Sequence, residues 1–198
     1  MKFPIHPRPS VRPRYLIGSA VLATSLVAGA FIGYALPATA STSDSEATAP
    51  PATVVEGGET FVTSTGVDAS WSAITSSITQ HLPAGVSWPS DAPAFFDPST
   101  DGTKDLYEPG LFATIAARFW RCAWLDSDLD GQRSGNEDTQ RAAEAALADF
   151  ASVSGSSSVA TDKYLQLIKA GAEENGVSPQ QFEFSIDCGI YTKEGFAR

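Results

Sequence analysis

Histidine is scarce in this chain of 198 residues: there are two, and His81 is the only one after residue 6. A histidine-based zinc site therefore lacks ligands. No HExxH, GxSxG, Walker A or GxGxxG pattern occurs, so none of the chemistries that those spacings carry is indicated. Basic residues are also few, 13 against 23 acidic ones. Four of them, Lys2, Arg8, Arg12 and Arg14, precede residue 15, which leaves nine basic against 23 acidic residues beyond that point, a net charge of −14. That balance disfavours nucleic acid and anionic surfaces as partners. There is no internal repeat.

What the chain does have is one long uncharged run, Tyr15 to Leu36, of 22 residues. At about 1.5 Å per residue it is long enough to cross a hydrocarbon core of about 30 Å. The four basic residues ahead of it and the acidic, Ser/Thr-rich stretch behind it predict a cytoplasmic tail at 1–14 and an extracytoplasmic remainder. Ala38-Thr39-Ala40 has the small-x-small form of a signal-peptidase site, so cleavage after Ala40 and secretion is the alternative; the length of the apolar run favours an anchor. Gly29 and Gly33 are spaced as in GxxxG, which would let two membrane helices pair as a homodimer, although glycine is common in such helices.

Residues 37–60 are rich in Pro, Ala, Ser and Thr and poor in large apolar side chains, and are expected to be a disordered linker. Residues 61–198 then form one extracytoplasmic domain. Its two cysteines, Cys122 and Cys188, are even in number and lie on the oxidising side, so a disulfide is expected; two buried thiols are the alternative.

Helical spacing predicts an all-α domain of about four helices. The first, near residues 69–82, has Asp68 as N-cap and Trp71, Ile74, Ile78 and Leu82 on one face. A proline-rich loop follows, anchored by Trp88, Phe95 and Phe96. The second starts near Pro109 and carries Leu111, Ile115, Phe119, Cys122, Leu125 and Leu129 as one stripe, widened by Trp120 and Trp124. The third spans about residues 137–153, and the fourth runs from about Thr161 to a stop at Asn175-Gly176. After it, Ser178-Pro179-Gln180-Gln181 has the form of a capping box, whereas Phe182, Phe184, Ile186, Cys188 and Ile190 alternate as in a strand. A short helical turn leading into an extended tail is expected, with no sheet for want of a second strand.

The segments LPAGVSWP at 82–89, YEPG at 107–110 and FWRCAWLDSDL at 119–129, with a second cysteine near the end, resemble a group of uncharacterised actinobacterial exported proteins. The likeness spans most of Leu82 to Cys188. It implies that the W-x-C-x-W stretch is helix core and supports the disulfide, and it brings no activity with it.

Asp126, Asp128, Asp130, Gly131 and Glu137 match D-x-D-x-D-G-x5-E, the ligand spacing of an EF-hand calcium loop. Against that chemistry, Leu129, Arg133 and Asp138 occupy positions where an EF-hand carries other residue types, and no partner hand exists. The competing reading has the three aspartates on the solvated side of the last turns of a helix that Gly131 caps. In favour of a metal, carboxylates at a helix C-terminus are unfavourable by about 0.3–1 kcal/mol each unless a cation compensates them.

The chain is thus expected to be a membrane-tethered interaction or structural module of the cell envelope with an envelope-protein partner and no catalysis. A single-loop calcium binder is the alternative, and a carboxylate-pair hydrolase a more distant one for which no pair is singled out.

Overall fold

A glycine pair makes the first turn among the described residues. The computed structural model describes residues 52–100 and 105–196. Gly57 and Gly58, with φ of 62° and 89°, form the turn that joins β1 (Thr53–Glu56) to β2 (Glu59–Thr63). Two consecutive positive φ values suit the two-residue hairpin, and glycine accepts them without strain. The strands pair antiparallel with Val54 opposite Phe61, and β3 (Leu106–Tyr107) adds to the far side of β2.

The helical character expected of the domain holds, while the expectation that no sheet forms is corrected. Residues 53–60 pair as a hairpin, and the described residues hold a three-stranded sheet and a two-stranded one. The protein is mostly helical, with five α-helices among the described residues.

Helix α1 is Val67–Ser77. It begins two residues earlier than its periodicity indicates, with Gly66 rather than Asp68 as N-cap, and it stops at Ser77. The hydroxyls of Thr75 and Ser77 donate to the carbonyls of Trp71 and Ile74, and the chain turns extended at Ile78. Ile78 and Leu82 still reach the core from the loop.

Helix α2, Pro109–Ser134, is the axis of the domain, about 39 Å long at 1.5 Å per residue. Its buried residues extend beyond one stripe, because packing arrives from several sides. Phe112, Ala116 and Trp120 join Trp71, Phe96 and Phe150 in one cluster; Phe119, Cys122 and Leu125 join Cys188 and Tyr191 in another. Phe96 stacks on Phe112 at 4.6 Å between ring centres and Trp88 packs on Phe119 at 5.5 Å, so the proline-rich loop is pinned as expected, while Phe95 remains 49 % exposed. The loop is also held by polar contacts. The indoles of Trp120 and Trp124 both donate to the carbonyl of His81, at 2.9 and 3.0 Å, and that of Trp71 donates to the carbonyl of Pro89.

Helix α3 (Glu137–Ala148) folds back on α2, capped by the Asn136 side chain. Two 3-10 turns, Phe150–Ser152 and Ser156–Ser158, lead to α4 (Asp162–Asn175), which Thr161 caps and Gly176 ends in the left-handed region as expected. The capping serine also forms as expected: Ser178 accepts from the Gln181 amide and opens α5, Pro179–Asp187, a full helix rather than a single turn. A small hairpin of β4 (Tyr191–Thr192) and β5 (Gly195–Phe196) follows. The Cys122–Cys188 disulfide ties the end of α5 to the middle of α2, with Cα atoms 5.6 Å apart.

Among the described residues no helix is long and apolar enough to cross a membrane. The Tyr15–Leu36 run, Gly29, Gly33, Ala40 and the part of the expected linker up to residue 51 lie outside the described residues.

Candidate functional site

The aspartate-rich segment does not form a loop. Helix α2 continues through it to Ser134, and the left-handed C-cap is Gly135, not Gly131. On a helix, residues two apart point about 200° away from each other, so Asp126 and Asp128 diverge, whereas Asp126 and Asp130 share a face. Gly131 lies under α3, where an added Cβ would come within 2.8 Å of Gln140 Cγ. Its lack of a side chain serves helix–helix contact. Glu137, beyond the Gly135 turn, opens α3 and is exposed.

The cation demanded by the helix end is supplied by the protein. Lys193, in the C-terminal hairpin, places Nζ 3.8 Å from Asp126 Oδ2 and in direct contact with Asp130 Oδ2; Arg133 pairs with the other Asp130 oxygen. The hydrogen bond from Lys193 holds the Asp130 carboxyl below its ordinary pKa, while burial raises that of Asp126. Asp128 is 1 % exposed; Gln132 donates to its Oδ2 at 2.8 Å and Oδ1 has no partner. Burial raises its pKa, with Glu144 of α3 adding to the effect. Among the described residues no group of three or more potential ligands is arranged to hold a metal ion.

The residues that sequence periodicity missed sit midway along α2. Arg121, inside the apolar W-R-C-A-W stretch, turns toward α5 and grips Glu183, with Nε 2.5 Å from Oε1 and Nη2 2.7 Å from Oε2. Tyr164 of α4 donates to Glu183 and contacts Asp187, which also pairs with Arg118 at 3.5 Å. Burial, together with these carboxylates, raises the Tyr164 pKa, so the phenol stays a donor. The Arg121 guanidinium lies 4.9 Å from the centre of the Phe150 ring. The signal available was a single arginine on an apolar face, since a buried charge needs a partner; the identity of that partner was not readable from spacing.

Arg121 lines two clefts. One, of about 350 Å³, is lined by Arg121, Leu147, Phe150, Ser156, Ser157 and Leu165 among others. The other, of about 150 Å³, is lined by Arg121, Leu125, Leu147, Leu165, Ile168 and Glu183 with their neighbours. Arg121, Leu147 and Leu165 border both, so the clefts form one groove over α2, walled by α3 and α4. Leu165 is 43 % exposed there. The wall at Ser156–Ser158 is held close to α2 at Gly155, where a Cβ would lie 2.2 Å from the Ala113 carbonyl oxygen.

The chain matches no protein-family model, and neither the curated proteins nor the solved structures contain a significant match to it.

Proposed function

We propose that the chain is a membrane-tethered extracytoplasmic module of the cell envelope that acts by binding another envelope protein, without catalysis. The observation that carries this reading is the two-part groove bordered by Arg121, Leu147 and Leu165. It is concave and mostly apolar and has a few fixed polar groups, the character of a recognition site. Arg121 is already neutralised by Glu183, which suits a floor that positions a partner better than one that drives a reaction. The apolar run at Tyr15–Leu36 with its basic flank supports a single-pass anchor with the N-terminus in the cytoplasm, and the buried Cys122–Cys188 bridge agrees with an oxidising compartment.

The test is photocrosslinking in the native envelope, with a photoreactive residue at Leu165 in the groove or at Glu174 elsewhere on α4. A discrete crosslinked protein from position 165, absent from position 174, is expected. Equal or no crosslinking from the two positions would reject the reading.

A further inference from the structure

We infer that Asp128 makes the docking of α3 on α2 proton-dependent, so that α3 and the groove wall it carries at Leu147 are held more tightly as the pH falls.

The placement follows from the way the two helices run past each other. Gly131 meets Gln140; ten residues earlier on α2 the Arg121 guanidinium lies 4.9 Å from the centre of the Phe150 ring, ten residues after Gln140 and just beyond α3. The helices therefore advance at the same rate in opposite directions, and the turn of α2 at Asp128 faces the turn of α3 at Ala143 and Glu144. Ala143 is fully buried at this crossing and Asp128 is 1 % exposed. One turn further along α3 comes Leu147, which borders both clefts.

The surroundings suit a neutral carboxyl better than a carboxylate. Gln132 donates to Oδ2, while Oδ1 is buried without a donor among the described residues. Ionised, Asp128 places a negative charge in a helix–helix interface with no ion pair to offset it. The charged group that faces it from α3 is Glu144, of the same sign, and together with burial it raises the Asp128 pKa. The nearby cations are engaged elsewhere: Arg141 pairs with Asp138, Arg133 with Asp130, and Lys193 of the C-terminal hairpin with Asp126 and Asp130. Lifting α3 away returns Asp128 to water and to its ordinary pKa. The docked state thus binds the proton more tightly than the undocked one, and by linkage proton uptake favours docking. This coupling holds whatever occupies the groove.

The test is native-state hydrogen exchange of the full chain in zwitterionic nanodiscs at pH 7, 5.5 and 4, corrected for the intrinsic exchange rate. Wild type is compared with Asp128→Asn, which keeps the shape and removes the charge, and with Glu144→Gln at an exposed position. At pH 7 the α3 amides of the wild type are expected to open roughly fivefold more often than those of Asp128→Asn, with a ratio approaching one at pH 4. Glu144→Gln should show the same trend with a smaller ratio. A ratio that stays constant with pH would overturn the proton linkage, and a change shared equally by α4 and α5 would overturn its assignment to α3. Should Asp128→Asn fail to fold, Glu144→Gln decides, and α3 exchange equal to that of the wild type at all three pH values would overturn the inference.

Discussion

Arg121 and Glu183 meet through two parallel hydrogen bonds at 2.5 and 2.7 Å, with side chains only 12 % and 5 % exposed. This pair joins α2 to α5 beneath the groove. Removing one partner leaves the other buried without its counter-charge, whereas removing both leaves an apolar contact. Arg121→Met or Glu183→Leu is expected to lower stability by about 3–5 kcal/mol, and Arg121→Met/Glu183→Leu by much less than the sum. Urea unfolding of the four proteins gives the coupling; additive losses would show that the pair is not a unit.

Asp128 is predicted to be a stability defect at neutral pH. Burial raises its pKa, so the folded state holds the proton more tightly than the unfolded chain. The penalty of the ionised form is present above that range and fades as pH falls toward the ordinary carboxylate value. Asp128→Asn should therefore stabilise by about 1 kcal/mol near pH 7 and have little effect near pH 4. Melting curves at several pH values test this, and a gain that persists unchanged in acid would contradict it.

Lys193 and Asp130 behave in the opposite sense. The lysine holds the Asp130 carboxyl below its ordinary pKa, so this contribution is full above the unfolded value and is lost as pH falls through the depressed one. Both groups are partly exposed, at 51 % and 36 % of their side chains, which limits the loss in Lys193→Gln to about 0.5–1 kcal/mol. The same ammonium occupies the approach to Asp126 and Asp130. Millimolar calcium is accordingly expected to leave the melting temperature of the wild type unchanged; a calcium-dependent rise would show that the carboxylates rearrange around the ion.

The Cys122–Cys188 bridge closes a loop of 66 residues that contains α3, α4 and all of α5. In the chain-entropy model such a loop stabilises by about 4 kcal/mol. Cys122→Ala/Cys188→Ala should lose that much, and hydrogen exchange should rise first in α5 and the C-terminal hairpin, which reach α2 through Cys188. Uniform exchange across α2 to α5 would show that the bridge does not act locally.

Much of the helical architecture was legible because local rules agreed with tertiary demand. Pro109, Thr161, Ser178 and Gly176 terminate helices where capping chemistry puts them. The hairpin at residues 53–63 escaped because the average composition of 37–60 masks four paired residues on each side of Gly57-Gly58. The aspartates misled for a different reason. D-x-D-x-D-G specifies a loop only where the preceding helix has ended, and α2 runs on because Leu125 and Gly131 are both buried against other elements. The groove was unreadable since its border unites residues 121, 147 and 165 from three helices, and their meeting depends on the turns around Gly155.

Trp71, Trp120 and Trp124 each donate to a carbonyl in the segment between His81 and Pro89, and Trp88 belongs to that segment itself. Helices α3, α4 and α5 contain no tryptophan. Intrinsic fluorescence therefore reports on the docking of one loop onto α1 and α2, while the ellipticity at 222 nm sums all five α-helices. The two optical signals weigh different parts of the molecule: undocking of the loop would move the emission while α3, α4 and α5 still contribute ellipticity, and Trp120, stacked 5.8 Å from the groove residue Phe150, is the indole placed to sense a ligand there.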